Sequence, residues 1–334
     1  MTRFRAAPAL LLLLLTTCTD PARGGRTAIR VVGSSTVFPF TAAVAERFVG
    51  TFPDAPAPVV ESTGTGGGMR LFCAGIGAAH PDLEDASRRM EPAEYRQCAA
   101  NGAGRLMEVE IGRDGVAFVR SRRGADLPLT AALLYRALAA APGGRPNAAR
   151  SWRDLDPALP PTPIRVFGPP ATSGTRDVLV GQVLRRGCVL VEQGARDCTR
   201  LRDDGAYIDA GENDNVVVAK LRADPTAIGI LGYGYLRENR DTIAGLTVDG
   251  VPPTAQTIAS GRYPVSRPLY LYVKVDHLAA VPRLRDLLRV YASSWAPDGP
   301  LAAHGLIPAS AAVRARSAQV IAQDVLLDPA TLDR

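Results

Sequence analysis

The chain reads as an α/β protein large enough for two lobes, and three observations predict it. It runs to 334 residues with 46% hydrophobic content, enough to bury more than one core. Short β-branched runs alternate along it with apolar residues at helical spacing, as expected of strands and helices packed in layers. At three places a strand-like run passes through a hydroxyl- and glycine-rich turn directly into such a helix. Helix starts leave backbone N–H groups unpaired and carry the positive end of the helix dipole, so three of them converging suggest one small oxyanion.

The first segment, Met1 to Leu15, has basic Arg3 and Arg5 and then Ala9 with six consecutive leucines. It is too short to span a bilayer comfortably and ends in small polar residues, so residues 1–26 read as an export signal and linker. Leu15-Thr16-Thr17-Cys18 loosely resembles a bacterial lipoprotein box, which makes Cys18 a candidate for lipidation.

Ile29-Arg30-Val31-Val32 is the first strand; Gly33-Ser34-Ser35-Thr36-Val37 is its turn, and Phe40, Val44, Ala45 and Phe48 mark the helix face. Pro58-Val59-Val60-Glu61 leads through Ser62-Thr63-Gly64-Thr65-Gly66-Gly67-Gly68 to a helix carrying Met69, Leu71 and Phe72 on its apolar side. The third and central copy runs from Ile164-Arg165-Val166-Phe167 through Gly168-Pro169-Pro170-Ala171-Thr172-Ser173-Gly174-Thr175-Arg176-Asp177, followed by Val178, Leu179, Val183 and Leu184. There Gly174 keeps the approach free of a side chain, and Arg176 offers a forked charged donor.

Between these motifs, Glu108 to Ile111 and Gly115 to Val119 read as two strands flanking Gly112-Arg113-Asp114, where the chain enters a second lobe. Helices are predicted around Ala131 to Ala140, from Ser151, over Val216 to Leu221, Val281 to Ala292 and Ala309 to Val320; strands over Ile228 to Tyr233 and Pro268 to Val273. Glu212-Asn213-Asp214-Asn215 reads as a helix-capping loop. The resulting division is 27–115 plus 266–334 for lobe 1 and 116–265 for lobe 2.

Setting Cys18 aside leaves Cys73, Cys98, Cys188 and Cys198, an even number for an oxidising compartment. Cys73 with Cys98 and Cys188 with Cys198 is the simplest pairing, though crossed pairings are open at this point. No Cys-x-x-Cys occurs, and His80, His277 and His304 have no ligand-like spacing, so no metal and no cofactor are expected. The net charge of +6 favours an anionic ligand. The basic residues are scattered without aromatic interleaving, which argues against nucleic acid.

In order along the chain, Gly33 to Thr36, the glycine run Gly64 to Gly68, Ala86-Ser87-Arg88, Gly112-Arg113-Asp114-Gly115 and Ser173-Gly174-Thr175-Arg176 resemble the motifs of periplasmic phosphate-binding proteins of the PstS type. The resemblance covers nearly the whole mature chain. It implies the type II periplasmic-binding-protein fold, two lobes closing a cleft on inorganic phosphate, and a periplasmic monomer that delivers its ligand to an ABC-type permease in the inner membrane. It is not an enzyme on this reading. Carried over, Thr36 and the Val37 backbone N–H, with Ser35 as neighbour, match the first contact. Thr65 matches the second, and Ser173, Gly174 and Thr175 match the third. Pro169 replaces an arginine of some members, which leaves Arg88 and Arg176 as the charged donors. A ligand-binding aspartate of some members falls on Ser87, so Asp114 is the candidate acid for reading the proton of phosphate, with Asp82, Glu84 and Asp85 in reserve. The alternatives are a binding protein for another oxyanion and a secreted phosphate-ester hydrolase using Ser173 or Ser35, which requires a base or metal beside the serine.

Overall fold

The computed structural model describes residues 27–332 apart from 172, 193–196 and 212. The segment read as an export signal, with Cys18, and also Thr172 of the central turn and Glu212 lie outside the described residues. In chain order the elements are β1 (Arg30–Gly33), α1 (Phe38–Thr51), β2 (Val59–Ser62), α2 (Thr65–Phe72), β3 (Leu83–Ala86), α3 (Pro92–Ala100), β4 (Leu106–Ser121) and α4 (Ala131–Leu138). They continue with β5 (Val166–Gly168), α5 (Gly174–Val178), a π-helical segment Leu179–Leu184, α6 (Arg185–Val191), β6 (Tyr207–Asp209), α7 (Asp214–Ala223), β7 (Ile228–Gly232), α8 (Tyr233–Glu238), β8 (Ile243–Gly245) and α9 (Ala255–Ala259). β9 (Ser266–Lys274), α10 (His277–Ala280), α11 (Leu284–Ala292), α12 (Pro300–Ala303) and α13 (Ala311–Gln323) close the chain.

The strands lie in the order β2-β1-β3-β9-β4-β7-β5-β6, with β8 also paired to β4. β1 is parallel to β2 and β3, and β5 is parallel to β6 and β7, so the helices that follow them start at one end of each parallel set. That is where ligands bind in open α/β sheets. The expected break at Gly112 is instead a register shift inside one 16-residue strand. The first part of β4 has β9 as its antiparallel partner and the last part has β7 and β8, so hydrogen bonds continue past the irregularity.

Local chemistry explains the helix limits. α1 begins with Pro39 in its first turn and buries Phe40, Thr41, Val44 and Phe48. Thr130, Asn213 and Ser310 cap α4, α7 and α13 with side-chain oxygens. Two readings need correction. Leu71 is exposed, because α2 buries Gly68, Met69 and Phe72 instead. The helix expected from Val281 starts only at Leu284, because Pro282 and a left-handed Arg283 (φ 64°) separate α10 from α11.

The apolar interior forms separate clusters. Two of them draw on residues between Ile29 and Ile111 and between Leu269 and Leu332. The other two draw on residues between Val116 and Val265, joined only by Ile307 from the C-terminal part. Each fully buried Phe, Leu or Val contributes roughly 1.5 to 3 kcal/mol. Cys73–Cys98 and Cys188–Cys198 are both bonded, across 25 and 10 residues. The first ties the end of α2 to α3 and so braces the helix whose start carries Thr65.

Asp85 is enclosed between α1 and α11, where Thr41 donates to it at 2.7 Å and Tyr291 approaches Thr41. Burial pushes its carboxyl up to about 7, against the pull of the Thr41 hydroxyl. An aspartate in the unfolded chain releases its proton near pH 4. Its stabilising contribution is therefore complete below that pH, and it is lost as pH rises through about 7. Asp85→Asn is expected to stabilise the protein relative to wild type on going from pH 5 to pH 8, by up to about 2.6 kcal/mol. Thermal melts at the two pH values check this, and a wild-type-to-variant difference that does not change with pH refutes it.

Candidate functional site

The first turn is built under tight constraint. Gly33 has φ +137°, and a Cβ there would lie 2.1 Å from the Asp85 carbonyl oxygen, so only glycine fits. Ser34 Oγ accepts the Thr36 N–H at 3.1 Å, and the Ser34 carbonyl takes the N–H groups of Val37 and Phe38 at 3.2 and 2.9 Å. The Val37 N–H is thus occupied by the turn itself, and its side chain lies in the core. Ser35 and Thr36 are left facing α5. The second turn is pressed onto the same strands, since a Cβ on Gly68 would lie 2.1 Å from Glu84 Oε2 and 2.6 Å from Gly33 Cα. It sets Thr65 Oγ1 to accept the Ser87 N–H at 3.1 Å, with the two hydroxyls 3.1 Å apart.

In the third turn Ser173 caps α5 by accepting the Thr175 N–H. A Cβ on Gly174 would fall 1.8 Å from Thr36 Oγ1 and 3.2 Å from Ser35 Oγ. The first and third turns therefore meet face to face, and glycine is what permits the approach.

The group that joins the turns is Arg267, at the start of β9, which the sequence reading did not single out. One of its terminal nitrogens donates to Ser87 Oγ at 3.0 Å; the other donates to Thr36 Oγ1 at 2.7 Å and to the Gly174 carbonyl at 2.9 Å. Its Nε lies 3.5 Å from Asp114, its cross-strand neighbour on β4. Burial pulls its pKa below the ordinary arginine range, while Asp114 and Asp177 pull it back. Arginine can only donate. Each hydroxyl that accepts from Arg267 must turn its own proton elsewhere, so Thr36 is poised as a donor to an anion, and Ser87 can donate there or to Thr65 Oγ1.

The other predicted residues lie further out. Arg88 makes a two-pronged ion pair with Glu94 at 2.7 and 2.9 Å, which raises its pKa. Arg176 donates to the Pro169 carbonyl at 3.1 Å and lies 4.6 Å over the Tyr207 ring. Asp82 is held by His277 and the Arg30 N–H, and Glu84 and Asp85 are buried beneath the turns. Asp177 is a carboxylate the sequence reading did not single out. It borders the cleft, with its pKa raised by burial against the opposing charge of Arg267. A cavity of about 610 Å³ opens from Thr65, Ser87 and Arg267 past Arg88 and Arg176. Among the described residues, no group of three His, Cys, Asp or Glu side chains could hold a metal, and no helix is long and apolar enough to cross a membrane.

Parallel strands feeding helix starts onto one hydroxyl-lined cleft, with β4 and β9 common to both sides, define a protein of the periplasmic-binding type. Residues 19–294 match the family model described as the PBP superfamily domain, and the chain belongs to that family. It is 30% identical to the protein SphX of Synechocystis over 289 residues, 85% of this chain and 79% of that protein. It is 26% identical to the phosphate-binding protein PstS of Staphylococcus saprophyticus, over 79% of this chain and 76% of that one. Its fold matches the crystal structure of a possible phosphate-binding protein from Planctomyces limnophilus, with a TM-score of 0.69 and 27% identity over 90% of this chain and all of that one.

Proposed function

We propose that the protein binds inorganic phosphate with high affinity between its two lobes, in the periplasm, and delivers it as a monomer to an ABC-type permease. The lobes are residues 27–115 with 266–334, and 116–265. Residues 1–26 direct export, and Cys18 is the candidate position for a lipid anchor. The observation that carries the reading is the bridge made by Arg267 from Thr36 and Ser87 to the Gly174 carbonyl. It gathers the first and third turns around one cation and reaches the second through Ser87, which is bonded to Thr65. Ser35, Thr36, Thr65, Ser87, Ser173, Gly174 and Thr175 then supply the donors, with Arg88 and Arg176 at the rim. The family and the phosphate-binding names of two relatives support this ligand. Asp114, held within 3.5 Å of Arg267, is the proposed acceptor for the proton that phosphate keeps and sulfate lacks.

Phosphate added to ligand-stripped protein at one hundred times its dissociation constant should raise the unfolding free energy by about 2.7 kcal/mol. A melting temperature that does not move across a phosphate titration rejects this function.

A further inference from the structure

The cleft is larger than a bare oxyanion requires. The two sides already touch, with Arg267 Nη2 within 2.9 Å of both Thr36 Oγ1 and the Gly174 carbonyl, yet about 610 Å³ stays open outside them. Pockets of roughly 300 to 1,000 Å³ hold organic molecules of many atoms. Its wall carries Gly181, where an added Cβ would meet nothing within 4 Å.

The polar groups outside the anion cradle are complementary to hydroxyls. Arg88 and Arg176 are committed to Glu94 and to Pro169 with Tyr207. Arg185, on the same wall, has no hydrogen bond or ion pair among the described residues, and the Asp177 carboxylate accepts no hydrogen bond among them. One is a donor and the other an acceptor. A hydroxyl can serve both, whereas a purely apolar substituent would leave both unpaired.

We propose that the cleft also takes a phosphomonoester of a small polyol, its phosphoryl group at Thr36, Ser87 and Arg267 and its hydroxyls between Asp177 and Arg185 along the Gly181 wall. This rests on the phosphate reading and extends it to the substituent.

Calorimetry on the ligand-stripped full chain tests it, with inorganic phosphate and glycerol 3-phosphate as probes and recovery of the ester confirmed after each titration. In wild type the ester should bind within about tenfold of phosphate. Gly181→Phe, which fills the open wall, and Arg185→Ala should each weaken the ester by tenfold or more and leave phosphate within about twofold. Phosphate binding without ester binding, or ester binding untouched by both variants, overturns the inference alone. If neither probe binds, the phosphate reading fails and the inference with it.

Discussion

Gly174→Ala should weaken phosphate binding by about 10- to 100-fold while leaving the melting of ligand-free protein almost unchanged. The added methyl would sit 1.8 Å from Thr36 Oγ1, on the opposite side of the cleft. Overpacking of this kind costs roughly 1 to 3 kcal/mol where it cannot relax. Here it can relax by moving the two sides apart, so the strain appears only when a ligand requires them together. Calorimetry and thermal melts on the same sample separate the two effects. Wild-type affinity in the variant would mean that the Thr36–Gly174 contact has no part in the bound state.

Arg267→Ala carries the larger expected loss, at least a hundredfold in phosphate affinity. Hydrogen bonds to charged groups contribute roughly 1.5 to 3 kcal/mol each, and three to Arg267 disappear together. Thr36 also loses the donor that turns its proton toward the cleft. The variant should melt lower as well, because removing one member of a buried ion pair costs roughly 3 to 5 kcal/mol and Asp114 is left alone. Arg267→Lys keeps the charge without the fork and should fall between the two. Titration well below the melting temperature is the check, and affinity within threefold of wild type in Arg267→Ala would remove this residue from the site.

The three turns were readable because each is a local pattern: a strand, a run of small hydroxyl residues and an apolar helix face within about twenty residues. Short spacing made Cys73–Cys98 and Cys188–Cys198 the simplest pairings but left crossed ones open, and the fold selects the local pairs. Arg267 gave no such signal. It is a single arginine before Pro268, and its partners lie 231, 180 and 93 residues away. Topology alone brings it there, through the pairing of β9 with β4. Arg88 shows the converse: its charge was plain from the sequence, but Glu94 on the first turn of α3 competes for it at 2.7 Å. The unbroken β4 was hidden by the polar Gly112-Arg113-Asp114, which reads as a turn until β9 supplies the matching edge.

The placement of β9 also fixes an order of assembly. It lies between β3 and β4 although it is made some 160 residues after β4 begins. The clusters between Val116 and Val265 come almost entirely from one continuous stretch, whereas those containing Ile29 wait for a strand from the far end of the chain. Closing that long loop carries the greater entropic cost, so the middle of the sequence forms first and the two ends join last. Until residue 274 is available, β3 and the first part of β4 present unpaired edges to which strands of other chains can add. A nascent or shortened chain of this protein is therefore most prone to self-association along the same ribbon that later carries Arg267 to its site.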